Sequence, residues 1–508
     1  MLSQLSKPAA RYHKLASAVF TAASSSSTSI KKRALHIVAS DPHSVTISGL
    51  PASGAPGDTH SSIPFSTTFP ALFLRDACPT AGLRGALDPS SSQKTFSTGA
   101  LSEAATTISS VTVVDGTTTT TTTSSSSSKS KISSLDNLLP LHEQATRYHD
   151  PHKHDALLVS WADGHTSLFP STFLARYRGR DAARNFRATN RPYVSWDTLS
   201  SRPEGVSVAD IPRVDYFDYM YHDHDVYRAV KGLHEVGLVF VENIPDQEDV
   251  INGTNPGSPP FDIADGCKVL VEEIGKRIGG YIKETFYGKS WNVVSVPEAT
   301  NVAYTSVYLP LHMDLLYYES PPGVQLLHIV RNSTVGGESL FADSFAAAHH
   351  VYLTDKDAYN ALKTVPLTFH YDNAGEHYYK QRPMVVEDPS GATIDSPSGP
   401  LPALTTVNYS PPFQGPLDSL VSGSFTSDQA DALRRGIALF EEYINDPTHR
   451  IEVKMRENTC MLFLNRRILH ARNQFDQMSG TRWFRGTYLD LDAYQSKLRT
   501  LSRRYESK

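Results

Sequence analysis

Cysteine is nearly missing from this chain: 508 residues contain three, Cys78, Cys267 and Cys460. They lie far apart and form no C-x-x-C pair, which speaks against a disulfide framework and a cysteine-rich zinc site. Long apolar runs are also missing. Nothing approaches the roughly 18 consecutive apolar residues of a membrane span. Neither sign of charge dominates: 48 Lys and Arg stand against 53 Asp and Glu, a net charge of -5, which gives no case for a nucleic-acid partner. Acids are wholly absent from residues 1–40, which carry Lys7, Arg11, Lys14, Lys31, Lys32 and Arg33 and a Ser24–Ser27 run. An acid-free, basic, Ser-rich leader reads as a mitochondrial transit peptide over 1–34, with the matrix as destination.

What is present suggests a soluble globular protein: 39% hydrophobic and 20% charged residues. From Ala34 short strand patterns begin at Ile37-Val38 and Val45-Thr46-Ile47. Leu157 to Trp161, an Asp163-Gly164 turn and Ser167-Leu168-Phe169 read as a hairpin. Between them lies low-complexity sequence, with threonine unbroken from Thr117 to Thr123 and serine from Ser124 to Ser128. Such composition buries too little apolar surface to order itself. The expected organisation is a small β-rich domain over 35–180 with a disordered insertion at about 88–135, a polar linker over 181–210, and a larger domain over 211–498.

In the larger domain Val226, Val230 and Leu233 predict a helix over Asp223–Glu235, capped by Gly237. Leu270, Ile274, Ile278, Ile282 and Phe286 predict a second helix ending near Gly288. The pattern then turns to β. Strands are expected at Val302–Tyr308, Gly323–Val330, Leu340–Ala342, Thr459–Leu464 and Trp483–Leu489, with a long loop over 385–430. Many short strands with long excursions argue a mainly β fold with flanking helices, a double-sheet jelly-roll barrel whose mouth is a ligand cavity.

The chemistry centres on His312-Met313-Asp314. In an extended segment, side chains two apart point the same way. With a distant histidine they make a 2-His-1-carboxylate triad, which binds Fe(II) and leaves one face open. The Thr459–Leu464 strand delivers the chain to His470. His222 and His224 sit at a polar helix start and read as solvated or capping groups, and His349-His350 reads the same way. His328, on an apolar strand, reads as a satisfied core histidine.

Asn301-Val302-Ala303-Tyr304, His312-Met313-Asp314, Pro322 to His328, Gly336-Gly337-Glu338-Ser339, Leu469-His470 and Arg482 to Tyr488 together resemble the γ-butyrobetaine and trimethyllysine dioxygenases. These are Fe(II)/2-oxoglutarate oxygenases of the taurine-dioxygenase-like superfamily. The resemblance implies iron on His312, Asp314 and His470, and 2-oxoglutarate held by Arg482, with softer roles for Ser339 and Asn301. Arg485 is an in-register competitor for Arg482. It further implies a trimethylammonium cage at Tyr287, Trp291, Tyr304 and Tyr488. There are two departures. Leu315 stands where the γ-butyrobetaine enzyme has a tyrosine, with Tyr317 or Tyr318 as the nearest substitutes. Of the family's structural zinc ligands only Cys78 and His165 remain, and tetrahedral zinc needs four, so no structural zinc is expected.

The implied reaction is hydroxylation of an unactivated carbon, most simply γ-butyrobetaine to carnitine, with 2-oxoglutarate and O2 consumed. Trimethyllysine hydroxylation, a related oxygenase with a non-betaine substrate, and a non-catalytic binding relative stay open. The likeness leaves room for ascorbate as reductant and for a homodimer.

Overall fold

The computed structural model describes residues 35–49, 66–78, 88, 93–115, 155–180, 182–183, 193–199, 205–247, 269–294, 306–421 and 423–506. The leader 1–34, the Thr/Ser run, Cys267, Asn301 and Tyr304 lie outside them. The chain divides into two compact units that meet in sequence at Gly179/Arg180. Among the described residues no helix is long and apolar enough to cross a membrane.

In the first unit β1 (His36–Asp41), β2 (Ser44–Ser48) and β3 (Thr67–Pro70) form one antiparallel sheet. A second comprises β4 (Ile108–Asp115), β5 (Asp155–Trp161) and β6 (Thr166–Pro170). The β5–β6 hairpin turns at Gly164, whose φ of 81° is the left-handed region that favours glycine. Val45, Ile47, Phe69, Leu157, Val159 and Phe169 are fully or almost fully buried in one core. The expected disordered insertion needs correcting. Within 93–115 the chain forms a short helix, Glu103–Thr106, and all of β4. Ile108, Val111 and Val113 pack on that core, so this part has the apolar residues the Thr/Ser run lacks. Cys78 Sγ lies 3.4 Å from His165 Nε2 and 2.9 Å from Ser167 Oγ. A serine hydroxyl that also accepts from Trp161 Nε1–H thus occupies the sulfur's other side.

The second unit is built on two sheets. The larger runs in the order β7 (Arg213–Asp215), β8 (Leu238–Glu242), β21 (Thr459–Leu464), β11 (Val324–Asn332), β24 (Arg482–Leu489) and β9 (Ser290–Val294). The smaller runs β10 (Leu309–His312), β22 (Ile468–Arg472), β13 (Ser339–Asp343) and β20 (Arg450–Val453). Phe240, Ile329, Phe463 and Phe484 of the first pack with Phe341, Ile451 and Ile468 of the second in one apolar layer. This is the jelly-roll arrangement, two sheets closed over a shared interior. Helices cover the outer face of the larger sheet. Leu233, Ile274 and Leu498 meet Leu326 and Leu462 there.

Helix and strand occur in roughly equal amounts, so "mainly β" understates the helices. Helix Asp223–Val236 stops at Gly237 in the left-handed conformation, as its sequence predicts. The next helix, Leu270–Gly279, stops earlier than expected. Gly280 caps it at φ 74°, and beyond it Lys283 bridges to Tyr488. Ile282 and Phe286 continue the apolar spacing but not the helix. The expected linker 181–210 contains Trp196, which is buried in the barrel layer. The domain also runs past 498, because helix Leu491–Glu506 buries Tyr494, Leu498 and Leu501 on one face.

Between the sheets' halves lies a long excursion. Two-residue β12 (Val335–Gly336) pairs with β23 (Phe475–Asp476). β14 (Pro366–Asn373) and β15 (Glu376–Pro383) form a hairpin. The expected loop 385–430 instead holds β16 (Val385–Glu387), β17 (Thr393–Ile394), β18 (Leu401–Pro402) and β19 (Leu404–Val407), then the start of helix Ser427–Asn445. These strands are two to four residues long, too short to show alternation in sequence.

Candidate active site

β10 and β22 run antiparallel with His312 directly opposite His470. Cross-strand partners hold their side chains about 5 Å apart, and the two imidazole centroids are 4.2 Å apart. Asp314 follows β10. Its Oδ1 lies 3.2 Å from His312 Nε2 and 3.9 Å from His470 Nε2. All three ligand-type atoms fall within 4.8 Å of one another, and among the described residues no other such cluster occurs.

The donor set suits a divalent cation. His312 Nδ1 is 2.8 Å from Pro310 O, a carbonyl that can only accept, so the Nδ1–H donates there and Nε2 is directed at Asp314. Burial, together with the neighbouring His312, drives the His470 imidazole down to about 3. Burial alone would raise Asp314. The His470 and His312 rings and the Tyr488 hydroxyl outweigh it and hold the carboxyl well below its usual range. Two imidazoles and one ionised carboxylate are the donor set that fits Fe(II).

Asp314 is held from two sides. Tyr488 O–H donates to its Oδ2 at 2.6 Å. Asn465, fully buried, grips its backbone: Asn465 Oδ1 accepts from Asp314 N–H at 2.9 Å, and Nδ2 donates to Asp314 O at 2.9 Å and to Pro322 O at 3.3 Å. The next residue, Leu315, has φ 57°. That is a rare conformation for a bulky side chain, and the Asn465 clamp fixes the turn that requires it.

The three side chains border a cavity with about 590 Å³ of empty space. Arg482, Ser339 and Trp291 line it, as do Gln325, Arg472 and Phe484. Arg482 is buried, its guanidinium 3.9 Å from the Phe484 ring centroid. Its Nε has no partner among the described residues, and no carboxylate there pairs with it. Burial and the nearby Arg472 charge pull its pKa down to about 9. A buried cation without a counter-charge is costly, so this end of the cavity calls for an anion. Arg485, the competitor, alternates to the opposite face of β24, where it sits across from His328.

Of the expected cage residues that are described, Tyr287, Trp291 and Tyr488, only Trp291 lines the cavity. Tyr488 packs against it with ring centroids 4.2 Å apart and tilted by 32°, and Tyr287 at 5.9 Å and 39°, so the three make one continuous aromatic wall ending at Asp314. Gly486 explains the closeness: a Cβ there would meet the indole at 2.6 Å. Leu315 is buried in the apolar core, and neither Tyr317 nor Tyr318 borders the cavity. Tyr317 packs instead among Phe286, Tyr371 and Phe413, so the nearby tyrosines do not replace the missing ring. His222 caps a helix with no side-chain bond. His349 is buried with Nε2 on Pro402 O at 2.9 Å. His328 is fully buried, but both ring nitrogens lack partners among the described residues; the expected satisfied histidine is in fact unsatisfied.

Asn465, Gln325 and Arg472 escaped the sequence reading. Arg472 could have been found from its spacing, since it lies two residues after His470 on the same strand and therefore on the same face. Asn465 had no such signal, because it acts on a backbone 151 residues away.

Residues 200–488 match the family described as taurine catabolism dioxygenase TauD, TfdA family. Dioxygenase str8 of Strobilurus tenacellus is 30% identical over 357 residues, covering 68% of this chain and 74% of its own length. The γ-butyrobetaine dioxygenase of Pseudomonas sp. (strain AK-1) is 29% identical over 349 residues, covering 68% and 79%. The mitochondrial trimethyllysine dioxygenase of Gallus gallus is 25% identical over 352 residues, covering 68% and 72%. With a match over more than half its length, the chain belongs to the TauD/TfdA family, and it is an oxidoreductase, a dioxygenase that uses Fe(II) and 2-oxoglutarate.

Proposed function

We propose that this enzyme hydroxylates a small trimethylammonium acid, with γ-butyrobetaine the best candidate and carnitine the product. The observation that carries the reading is the aromatic wall in which Trp291 lines the cavity while Tyr488 and Tyr287 pack against it, Tyr488 donating to the Asp314 carboxylate. Ring faces attract a quaternary cation by about 0.5–2 kcal/mol each. A cation on that wall would put its neighbouring methylenes near the metal. The likeness to a γ-butyrobetaine dioxygenase supports the same substrate class.

In this reading His312, Asp314 and His470 hold the iron. Arg482 forks onto the distal carboxylate of 2-oxoglutarate, which guanidinium geometry suits, and the Ser339 hydroxyl assists. Asn301 contributes to cosubstrate or substrate binding and Tyr304 to the cage. Bound iron supplies the oxidation of a C–H bond by O2, with 2-oxoglutarate converted to succinate and carbon dioxide. The chain itself positions that C–H bond and excludes water. Tyr488 keeps its proton, because burial and Asp314 push its pKa well above 10, and so it remains a donor to Asp314. The acid-free leader supports a mitochondrial location.

Trimethyllysine is the second reading, favoured by that leader and by the Gallus gallus relative. A non-betaine acid is the third, favoured by Leu315. Succinate release from 2-oxoglutarate, measured with Fe(II) and a panel of trimethylated amines and their unmethylated counterparts, decides among them. The proposal expects γ-butyrobetaine to stimulate turnover most. Stimulation by trimethyllysine alone moves the assignment to the second reading, and no stimulation by any quaternary amine sinks the betaine class.

A further inference from the structure

A second cavity, with about 1000 Å³ of empty space open to solvent, shares no lining residue with the first. Arg382 and Arg466 both line it, with Gln381, Thr405, Thr406 and Asn408. Arg466 is only 8% exposed. Its Nη2 donates to Asn408 Oδ1 at 2.5 Å, and its Nη1 has no partner among the described residues. Arg382 donates only to carbonyls, from Nε to Leu316 O at 3.0 Å and from Nη2 to Tyr318 O and Glu319 O. No carboxylate of the described residues pairs with either guanidinium. Two acids do line the cavity. Glu319 is largely exposed and its charge is taken up by Lys380 at 2.6 Å, and Asp492 is exposed on helix Leu491–Glu506. Burial and the repulsion of Arg382 pull the Arg466 pKa down to about 9. Glu319 acts on Arg382 only through space, without an ion pair, so two cations line one cavity with no carboxylate bonded to either, an arrangement that a bound anion stabilises.

We propose that this cavity is a second anion site, which takes a small oxyanion, phosphate or carboxylate, on Arg466 and Arg382 with the Thr406 hydroxyl beside them; the Thr405 hydroxyl and the Gln381 amide, which also line it, donate to Val386 O and to Asp418 Oδ1. The exposed acids at its mouth disfavour a large polyanion. The site is wired to the iron centre by covalent neighbours. Arg466 follows Asn465, whose side chain grips the Asp314 backbone, and Arg382 holds the carbonyls of 316–319 just beyond it. An anion that fixes both arginines therefore stiffens the segment that carries Asp314.

The test is a thermal-unfolding titration of the full chain with inorganic phosphate and, separately, acetate, at constant ionic strength set with chloride. The expected result is a saturable rise in Tm with at least one of the two, and the stronger identifies the oxyanion type. Arg382→Met and Arg466→Met should weaken the apparent affinity at least tenfold. Arg482→Met, which disables the proposed 2-oxoglutarate anchor, should leave it unchanged, so failure here is separable from failure of the proposed function. If Arg466→Met does not fold, the Arg382→Met comparison and an anomalous-scattering map of a selenate-soaked wild-type crystal decide. A selenate peak between the two arginines supports the site. No shift beyond the chloride control, a shift that survives both substitutions, or no peak in the cavity overturns it.

Discussion

Asn465→Ala is the substitution that separates an iron site merely present from one held in place. Asn465 makes three hydrogen bonds at 2.9, 2.9 and 3.3 Å, two of them to the amide and carbonyl of Asp314. A buried hydrogen bond contributes about 1 kcal/mol net, and a buried polar group left unpaired costs about 1–3 kcal/mol. Leu315, one residue on, is buried at φ 57°, a conformation that costs on the order of 1–3 kcal/mol and persists only when its surroundings enforce it. Removing the amide releases that turn and lets Asp314 move away from the two imidazoles. A loss of about 3 kcal/mol, taken at the metal, is about a hundredfold in Fe(II) affinity at 1.4 kcal/mol per decade. The assay is anaerobic Fe(II) titration of wild type and variant, with urea unfolding of the metal-free proteins alongside. The account predicts weaker iron binding than the stability loss alone produces in folded protein. A folded variant that is less stable but binds iron within twofold of wild type would refute the clamp, leaving Asn465 a purely structural residue.

Other changes address other parts of the site. Arg482→Met removes a charge-assisted pair worth about 1.5–3 kcal/mol, so KM for 2-oxoglutarate should rise roughly 10- to 100-fold; unchanged KM in steady-state succinate assays would release Arg482 from its role. Gly486→Ala puts a methyl 2.6 Å from the Trp291 indole and must displace the ring. KM for the amine should rise while iron affinity holds, and equal losses in both would place Trp291 in the fold rather than the cage. His328 is buried and neutral, its pKa pushed down to about 4 by burial from an ordinary value near 6.5. Above about 6.5 the ring is neutral in folded and unfolded chain alike. Below that the unfolded chain takes up the proton first, so stability falls as pH drops from about 6.5 towards 4, by about 3 kcal/mol. Urea unfolding of His328→Leu across this window should show a shallower fall than wild type, and parallel curves would remove His328 as the cause.

The cluster of His312, Asp314 and His470 was legible because its signal is local. His312 and Asp314 share one segment, and the strand leading to His470 reads plainly from Thr459 to Leu464. Strand alternation separates Arg482 from Arg485: Arg482 shares one face of β24 with Phe484 and Tyr488 and lines the cavity, and Arg485 is on the other. Tyr488 shows where that reading stops. Its ring was expected in the cage, but its hydroxyl lies on Asp314, 174 residues away, and a pairing at that separation leaves no periodic trace. The helix beginning at Leu270 shows a second kind of limit. Ile282 and Phe286 keep the spacing of an apolar face while Gly280 ends the helix, because a glycine cap outweighs a pattern that tertiary packing satisfies in another way. The short strands of 385–407 carry too few residues to declare themselves.

The most direct measurement is an iron-edge anomalous map of the protein crystallised anaerobically with Fe(II) and 2-oxoglutarate. The account predicts a single iron peak within bonding distance of His312 Nε2, Asp314 and His470 Nε2, with the distal carboxylate of 2-oxoglutarate on the Arg482 guanidinium. Iron elsewhere, or a cosubstrate carboxylate anchored on another cation such as Arg472, would contradict it.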